Sequence, residues 1–330
     1  MTQGRAIVLS GPLRRRALGI LAVGGGLGGS AALQERGRPP TPVQEWRGAA
    51  LGAEAHILLL HPDPAKARLA LGAVVAEIER LESEFSLFRA DSALSRLNRD
   101  GCLPRPSLDM RQLVAEALRL GDLTEGVFDV TVQPLWRLHA RYADGPPPAK
   151  LAAGLALVGY RHIDLGAAIL RFARPGMAIT LNGIAQGYIT DRVTDMLRDA
   201  GLPDVLVDVG ELRGTGRGLD GHPWRVGLEH PAVRDRNLEV SLADAAVATS
   251  CGRGTPFSAD ACRHHILDPC TGLCPPADRA ASVTAPNATL ADGLATALVL
   301  LPHQATSLVR RAGAVDAILS EPGLPLQRVG

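Results

Sequence analysis

The chain is poor in aromatic residues and in lysine, and its charges almost cancel. Aromatic residues make up 3% of its 330 residues, and Lys66 and Lys150 are its only lysines. Lys and Arg together number 35 against 34 Asp and Glu, which leaves a formal net charge of +1. Proteins that bind nucleic acid normally carry a clustered positive face or an aromatic stacking platform. The composition therefore argues against nucleic acid as the principal partner.

Nucleotide-binding fingerprints and long apolar runs are also lacking. No GxGxxG joins an expected strand to an expected helix and no GxxxxGK[ST] occurs, which disfavours both a Rossmann site and a Walker site. Beyond the N-terminal segment, no stretch is apolar enough to span a bilayer. The hydrophobic fraction of 46% is nevertheless too high for a disordered protein. The chain should fold, as one large domain or two ordinary ones.

The N-terminus has the pattern of an export signal. Three consecutive arginines, Arg14–Arg16, precede a weakly hydrophobic segment that is diluted by glycine. This arrangement is typical of a twin-arginine signal, and an uncleaved membrane anchor is the alternative. We therefore expect a signal segment at 1–33, a Pro-rich linker at 34–45 and export of the folded protein to the periplasm.

The five cysteines are not spaced like a structural zinc site. Cys102 stands apart, whereas Cys251, Cys262, Cys270 and Cys274 fall within one short region. Structural zinc sites usually contain paired CxxC motifs. Disulfides or free buried thiols are therefore favoured over zinc, and the odd number leaves at least one cysteine unpaired.

Hydrophobic periodicity predicts helices early in the chain and short strands later. His56 to Leu60 indicates a buried strand, and apolar residues at three- and four-residue steps from Leu71 to Phe85 indicate a long helix with one buried face. Further helices are expected over Leu108 to Leu120, Tyr188 to Asp199, Leu290 to Leu301 and Ala305 to Arg311. Further strands are expected over Val205 to Val209, Trp224 to Leu228, Leu238 to Leu242, Ala245 to Thr249, Ala281 to Thr284 and Ala314 to Leu319. This order favours an α+β fold over a doubly wound parallel sheet.

Three polar stretches have both a structural and a functional interpretation. Phe88 to Arg99 is, taken alone, a polar loop with a capping serine. Thr124 to Trp136 can seat a planar ring, although an ordinary turn that packs Phe128 into the core explains it better. Thr180 to Tyr188 enters a helix with small residues, which can expose N–H groups to a phosphate or simply permit close packing.

A fourth stretch offers oxygen ligands for a hard cation. Asp292 and Thr296 are four residues apart on an expected helix and so share a face. A carboxylate and a hydroxyl suit Mg2+, which is commonly bound by few protein groups together with phosphates and water. An Asp that is stabilised at a helix N-terminus by the helix dipole is the alternative.

Together these motifs resemble one family, the ApbE proteins, which are FAD:protein FMN transferases. The resemblance covers roughly Trp46 to Leu319 and rests on six patterns in the right order. The patterns lie at Ser86 to Asn98, Thr124 to Thr131, Leu181 to Tyr188, Ala246 to Ser250, His265 to Gly272 and Ala291 to Ala297. The fold implied is a single large ApbE-like domain at 46–330, α+β, with helices packed on a mainly antiparallel sheet.

The resemblance also implies an activity and a set of site residues. Members cleave FAD with Mg2+ and attach FMN by a phosphoester bond to a Thr or Ser of a target protein. Asp292, Thr296 and the backbone carbonyl of Gly183 would bind the metal, and Asp292 is thereby counted among the catalytic residues. His265 would be the base, with Asp268 as its partner or as a loop-ordering residue. The residues expected to line FAD are Leu51, Phe88, Val127, Phe128, Asp129, Thr180, Gln186 and Ile266.

Three segments are similar to a narrower branch, the NosX proteins, which are periplasmic accessory proteins of nitrous oxide respiration. These segments are Trp46 to Ala53, Thr180 to Tyr188 and His264-His265. The likeness implies that the acceptor is a membrane-bound flavoprotein of the NosR type. The protein would then meet a membrane surface only through this target.

Some positions depart from the commoner family pattern. Thr180 stands where many relatives have an acid, and Gln186 stands where they have Lys or Glu. Cys270 replaces a common arginine and so removes a phosphate contact. Two alternatives to catalysis follow, a non-catalytic flavin carrier and a folding chaperone with a vestigial pocket. The intact pair Asp292 and Thr296 weighs against both.

Overall fold

A computed structural model describes residues 41–142, 144–228 and 238–330, and two short segments before them. In chain order the strands are β1 (Ile7–Val8), β2 (Leu21–Ala22), β3 (Val43–Ala50), β4 (Ala53–Leu60), β5 (Cys102–Pro104), β6 (Ile163–Leu165), β7 (Ile169–Phe172), β8 (Val205–Asp208), β9 (Leu212–Thr215), β10 (Trp224–Gly227), β11 (Glu239–Leu242), β12 (Ala245–Cys251), β13 (Ala280–Ala285), β14 (Asp316–Ser320) and β15 (Gln327–Val329). The helices are α1 (Pro64–Phe85), α2 (Ala93–Asp100), α3 (Leu108–Leu123), α4 (Gln133–Arg141), α5 (Pro148–Leu155), α6 (Ala185–Asp199), α7 (Ala288–Leu300) and α8 (Ala305–Ala312).

Little of the expected N-terminal signal and linker lies within the described residues. Apart from the paired strands β1 and β2, the expected signal at 1–33 lies outside the described residues and stays a prediction. The expected linker at 34–45 is too long, because β3 already begins at Val43. No helix in the described part of the chain is long and apolar enough to cross a membrane.

An eight-stranded sheet forms the centre of the fold. Its strand order is β15-β14-β13-β12-β9-β8-β4-β3, and every neighbouring pair is antiparallel. Strands β5, β7 and β6 form a separate antiparallel sheet, and β10 pairs with β11. The expected α+β architecture with a mainly antiparallel sheet is confirmed.

The central sheet is buried on both faces, as β4 illustrates. Ile57 and Leu59 belong to the large apolar cluster that the sheet shares with the helices. Leu58 and Leu60 point the other way and pack in a second cluster with Trp224 of the β10–β11 hairpin. Successive side chains of a strand alternate between the faces. An apolar run without alternation therefore marks a strand that is covered on both sides.

Helix α1 confirms the helix predicted from Leu71 to Phe85 and begins earlier. The Asp63 carboxylate accepts the N–H groups of Ala65 and Lys66 at 2.9 and 3.1 Å, and Pro64 occupies the first turn. Both features are typical of a helix N-terminus. The polar loop expected from Phe88 onward is wrong in its second half, where α2 forms with Ser92 as its N-cap.

Helices α6 and α7 cross at very short range. A Cβ atom built on Gly187 of α6 would lie 2.3 Å from the carbonyl oxygen of Ala288, so only glycine fits there. One turn further along α6, the Asp191 carboxylate accepts the N–H groups of Ala288 and Thr289, both at 2.8 Å. Arg213 of β9 donates to the same carboxylate at 2.9 Å. This crossing fixes where α7, which carries Asp292 and Thr296, lies over the sheet.

Three buried histidines should make the protein less stable in mild acid. Burial lowers the pKa of His56, His139 and His264 below the ordinary value of 6.5. Around pH 6.5 and just below it, these histidines bind more protons in the unfolded chain than in the folded one. The free energy of unfolding therefore rises with pH in this range. We expect the urea midpoint to fall between about pH 7.5 and about pH 5.5. A midpoint that stays constant or rises toward acid would contradict this.

Candidate active site

The strand register brings several segments of the chain to one end of the sheet. His56 pairs with Asp208, and Asp208 pairs with Leu212, so the β3–β4 hairpin tip and the β8–β9 turn both extend past this row. Val247 of β12 also pairs with Leu212, and β12 continues past the row to Cys251. Side chains and backbone groups from distant parts of the sequence therefore meet at this end.

Thr296 lies at the centre of this meeting point. Its hydroxyl oxygen is 3.2 Å from the hydroxyl oxygen of Ser250, near the end of β12. A Cβ atom built on Gly183 would lie 3.2 Å from the same Thr296 oxygen and 3.6 Å from the Phe128 ring. The structure thus brings together three residues that the sequence analysis assigned to one site, and Ser250, which it did not assign.

Asp292 lies one helical turn before Thr296 and is 1% exposed. Its Oδ2 accepts the N–H of Gly187, which lies in the first turn of α6, at 3.1 Å. A helix N-terminus favours a negative charge. The small residues at the start of α6, which can expose N–H groups to a phosphate, thus permit close packing and give one N–H to a carboxylate of this chain.

The chemistry of these donors fits a hard cation. Asp292 offers a carboxylate, Thr296 a hydroxyl and Gly183 a backbone carbonyl, and oxygen donors of this kind suit Mg2+. Within the described ranges, no group of three or more His, Cys, Asp and Glu side chains could hold a metal ion. A cation on these three donors would complete its shell with phosphate oxygens and water.

His265 is half-buried on the segment that follows β12. Its N–H donates to the Thr255 carbonyl at 3.1 Å, and a Cβ atom built on Gly254 would lie 3.4 Å from its ring. The Asp268 carboxylate accepts the N–H groups of Cys270 and Thr271 at 2.7 and 3.3 Å. Of the two roles expected for Asp268, these contacts are those of a loop-ordering residue.

The neighbouring His264 has a structural position. It is completely buried, its Nδ1 accepts the N–H of Ile266 at 3.3 Å, and its Nε2 donates to the Pro275 carbonyl at 2.8 Å. The sulfur of Cys274 accepts the His264 N–H at 3.3 Å. Cys274 and the other four cysteines are all free thiols in the structure.

Residues around Phe128, expected to line FAD, are held by their own turn. Thr124 accepts the N–H of Phe128 at 2.9 Å. The Asp129 carboxylate accepts the hydroxyl of Thr131 at 2.5 Å and the N–H of Tyr160 at 2.9 Å, and burial raises its pKa. Asp129 therefore uses its side chain to order the turn, and Val127 next to it is half-buried.

Leu51 occupies an unusual backbone conformation at the hairpin tip. With φ of 48° for Leu51 and 78° for Gly52, the two-residue turn between β3 and β4 has positive φ at both positions. Such turns normally use Asn or Gly, and a left-handed leucine costs about 1–2 kcal/mol. The Glu82 carboxylate of α1 accepts the Leu51 N–H and holds this strained tip. Strain of this kind often occurs at ligand sites.

The remaining FAD-lining candidates differ in exposure. Gln186 is 8% exposed and packs on Gly210, where a Cβ atom would lie 2.6 Å from its Nε2. Ile266 is buried in the main core. The Thr180 hydroxyl accepts the N–H of Asn182 at 3.2 Å. The Phe88 side chain, at 63% exposed, is the most open of the set to a ligand or a partner.

Comparison with known proteins identifies the family. The ApbE family model matches residues 51–319. The chain belongs to the ApbE family. It is 34% identical over 255 residues to an FAD:protein FMN transferase of Vibrio cholerae, covering 73% of this chain and 76% of that protein. It is 32% identical over 304 residues to one of Haemophilus influenzae, covering 86% of each.

Solved ApbE structures have the same fold. The flavinyl transferase ApbE of Pseudomonas stutzeri, in its apo form, superposes with a TM-score of 0.75 at 29% identity, covering 89% of this chain and 97% of that one. The ApbE protein of Thermotoga maritima gives 0.76 at 26% identity, covering 87% and 97%. The family and the enzyme class expected from the motifs, a transferase, are therefore both confirmed.

Proposed function

We propose that this protein is an FAD:protein FMN transferase that uses Mg2+ and modifies a Thr or Ser of a target protein. The observation that carries the proposal is that Gly183 lies beside both the Phe128 ring and Thr296, and that Thr296 is one helical turn from Asp292, in a chain of the ApbE family. Gly183 comes from a different motif than Asp292 and Thr296, about 110 positions away in the chain. Their proximity supports one shared site rather than three independent structural roles.

Two of the three proposed ligands are held by a neighbour within the fold. Asp292 is oriented by the Gly187 N–H, and the Thr296 hydroxyl by Ser250. Mg2+ bound to Asp292, Thr296 and the Gly183 carbonyl would neutralise charge on the pyrophosphate of FAD. These hydrogen bonds fix the donors before the substrate arrives, which lowers the cost of organising the site.

His265 is the proposed base. It would accept the proton of the incoming Thr or Ser hydroxyl, whose oxygen attacks the FMN phosphorus. The pyrophosphate P–O bond then breaks, and AMP leaves with the electron pair. The turn closed by Asp268 keeps the segment that carries His265 in one conformation.

An assay with purified components tests the transferase against the carrier and chaperone alternatives. The protein is mixed with FAD, Mg2+ and an acceptor domain that carries the target Thr, and AMP and covalent flavin are measured. We expect one AMP for each flavin attached, and loss of both products when EDTA removes the cation. Flavin that binds without AMP release or covalent attachment would instead identify a carrier, and would refute the proposal.

We propose further that the acceptor is a NosR-type flavoprotein and that transfer takes place in the periplasm after twin-arginine export. The narrower likeness of Trp46 to Ala53 and Thr180 to Tyr188 to the NosX branch supports this acceptor, and Arg14–Arg16 supports the export route. The same assay with a NosR-type domain, and with its Thr→Ala variant as control, tests the acceptor. Cell fractionation with and without the arginines tests the route.

A further inference from the structure

Helix α4 connects the two sides of the candidate site. It begins directly after the short turn Val130–Val132 that follows Phe128, and it contacts residues on both sides of His265 in the chain. Trp136 meets Phe257 edge to face, with ring centroids 5.1 Å apart. One turn later His139, which is 3% exposed, places its Nε2 2.8 Å from the carbonyl oxygen of Gly272.

The second half of the segment 264–273 is closed on itself by backbone hydrogen bonds. The Asp268 N–H donates to the Leu273 carbonyl and the Gly272 N–H to the Asp268 carbonyl, both at 2.8 Å. Gly272 has φ of 69°, and a Cβ atom there would lie 2.7 Å from the Leu151 side chain of α5. Residues 268–273 therefore form a compact turn, and a contact that fixes Gly272 holds this turn, which begins three residues after His265, against α4 and α5.

His139 is suited to act as a neutral hydrogen-bond donor. Its Nδ1 is buried without a hydrogen-bond partner among the described residues, so the proton lies on Nε2 and is donated to Gly272. Burial, with the nearby positive charge of Arg263, lowers its pKa. A protonated ring would bring a second, unpaired N–H and a charge into this apolar position, which is costly.

We propose that His139 is a positioning residue, which holds the segment 264–273 against α4 so that His265 faces the reacting groups. This inference rests on the proposed function of His265. The His139–Gly272 hydrogen bond joins residues 133 positions apart in the chain, and it links the helix that follows Phe128 directly to the segment of the base. Displacing a catalytic group by about 1 Å can cost roughly a hundredfold in rate.

Two substitutions test this role. His139→Leu removes the donor and leaves the buried Gly272 carbonyl unpaired, whereas the amide of His139→Gln can still donate. We expect His139→Leu to lower kcat for FMN transfer by about ten- to a hundredfold with little change in KM for FAD, and His139→Gln to restore most of it. Hydrogen exchange should become faster within 264–273 in the leucine variant and stay slow in the glutamine variant.

His56→Gln is the matched control, because His56 is also a buried histidine but faces the side of the sheet away from the helices. The Nε2 of His56 lies 2.7 Å from the Oε1 of Glu45. We expect His56→Gln to leave kcat and the hydrogen exchange of 264–273 unchanged. Equal loss of kcat in both His139 variants, or exchange that rises throughout the protein, would overturn the proposal. If the wild-type protein transfers no FMN, the proposed function fails, and the exchange of 264–273 alone decides whether His139 anchors this segment.

Discussion

Asp292→Asn should abolish FMN transfer while leaving the fold intact. The substitution keeps the size of the side chain, and its amide oxygen can still accept the Gly187 N–H that Asp292 accepts at 3.1 Å. It removes the only carboxylate proposed for the cation. Because a metal ion supplies several kcal/mol of charge stabilisation, we expect AMP release to fall by at least about a thousandfold.

A structural role for Asp292 predicts a different result. A carboxylate at a helix N-terminus contributes about 0.3–1 kcal/mol through the helix dipole, so its loss would lower stability slightly and leave transfer near the wild-type rate. Thermal melting with and without Mg2+ separates the two roles without an activity assay. The wild-type protein should gain stability from the ion and Asp292→Asn should not. Asp199→Asn, at the exposed end of α6, should match the wild type in both measurements.

Local patterns in the sequence predicted much of the fold. Helix α1 was recognisable because its buried residues repeat at three- and four-residue steps over six turns, and Asp63 with Pro64 marks its start. Strand β3 was missed because it lies at the sheet edge and is mostly exposed, so it has no apolar alternation. Helices α4 and α5 were missed because they have almost no fully buried apolar side chains to form a repeat, only Leu135 in α4 and none in α5.

Only part of the candidate site could be predicted from the sequence. The order of the family motifs brought Gly183, Asp292 and Thr296 to one site, and the structure places Gly183 beside Thr296. Nothing in the sequence distinguishes Asp129, which orders its own turn, from a ligand-binding acid. His139 was missed because its partner lies 133 positions away in the chain, beyond the reach of any local periodicity.

Asp191 was missed for the same reason, and it should be among the most sensitive positions for stability. Its carboxylate joins the start of α7, 97 positions away, to Arg213 on β9. The Asp191 and Arg213 side chains are only 12% and 10% exposed. Replacing Asp191 leaves the buried charge of Arg213 with only the half-exposed Asp195 carboxylate as its ionic partner. We expect Asp191→Asn to lower the free energy of unfolding by about 3–5 kcal/mol in urea denaturation.

Asp195 provides the matched control, because its carboxylate contacts the same Arg213 nitrogen at 3.1 Å but is 47% exposed. Exposed ion pairs contribute little, so Asp195→Asn should cost less than about 1 kcal/mol. Adding Arg213→Met to Asp191→Asn should recover part of the loss, since the poorly compensated charge is removed. If Asp191→Asn and Asp195→Asn are equally mild, the stability of the α6–α7 crossing comes from close packing at Gly187 and not from the buried pair.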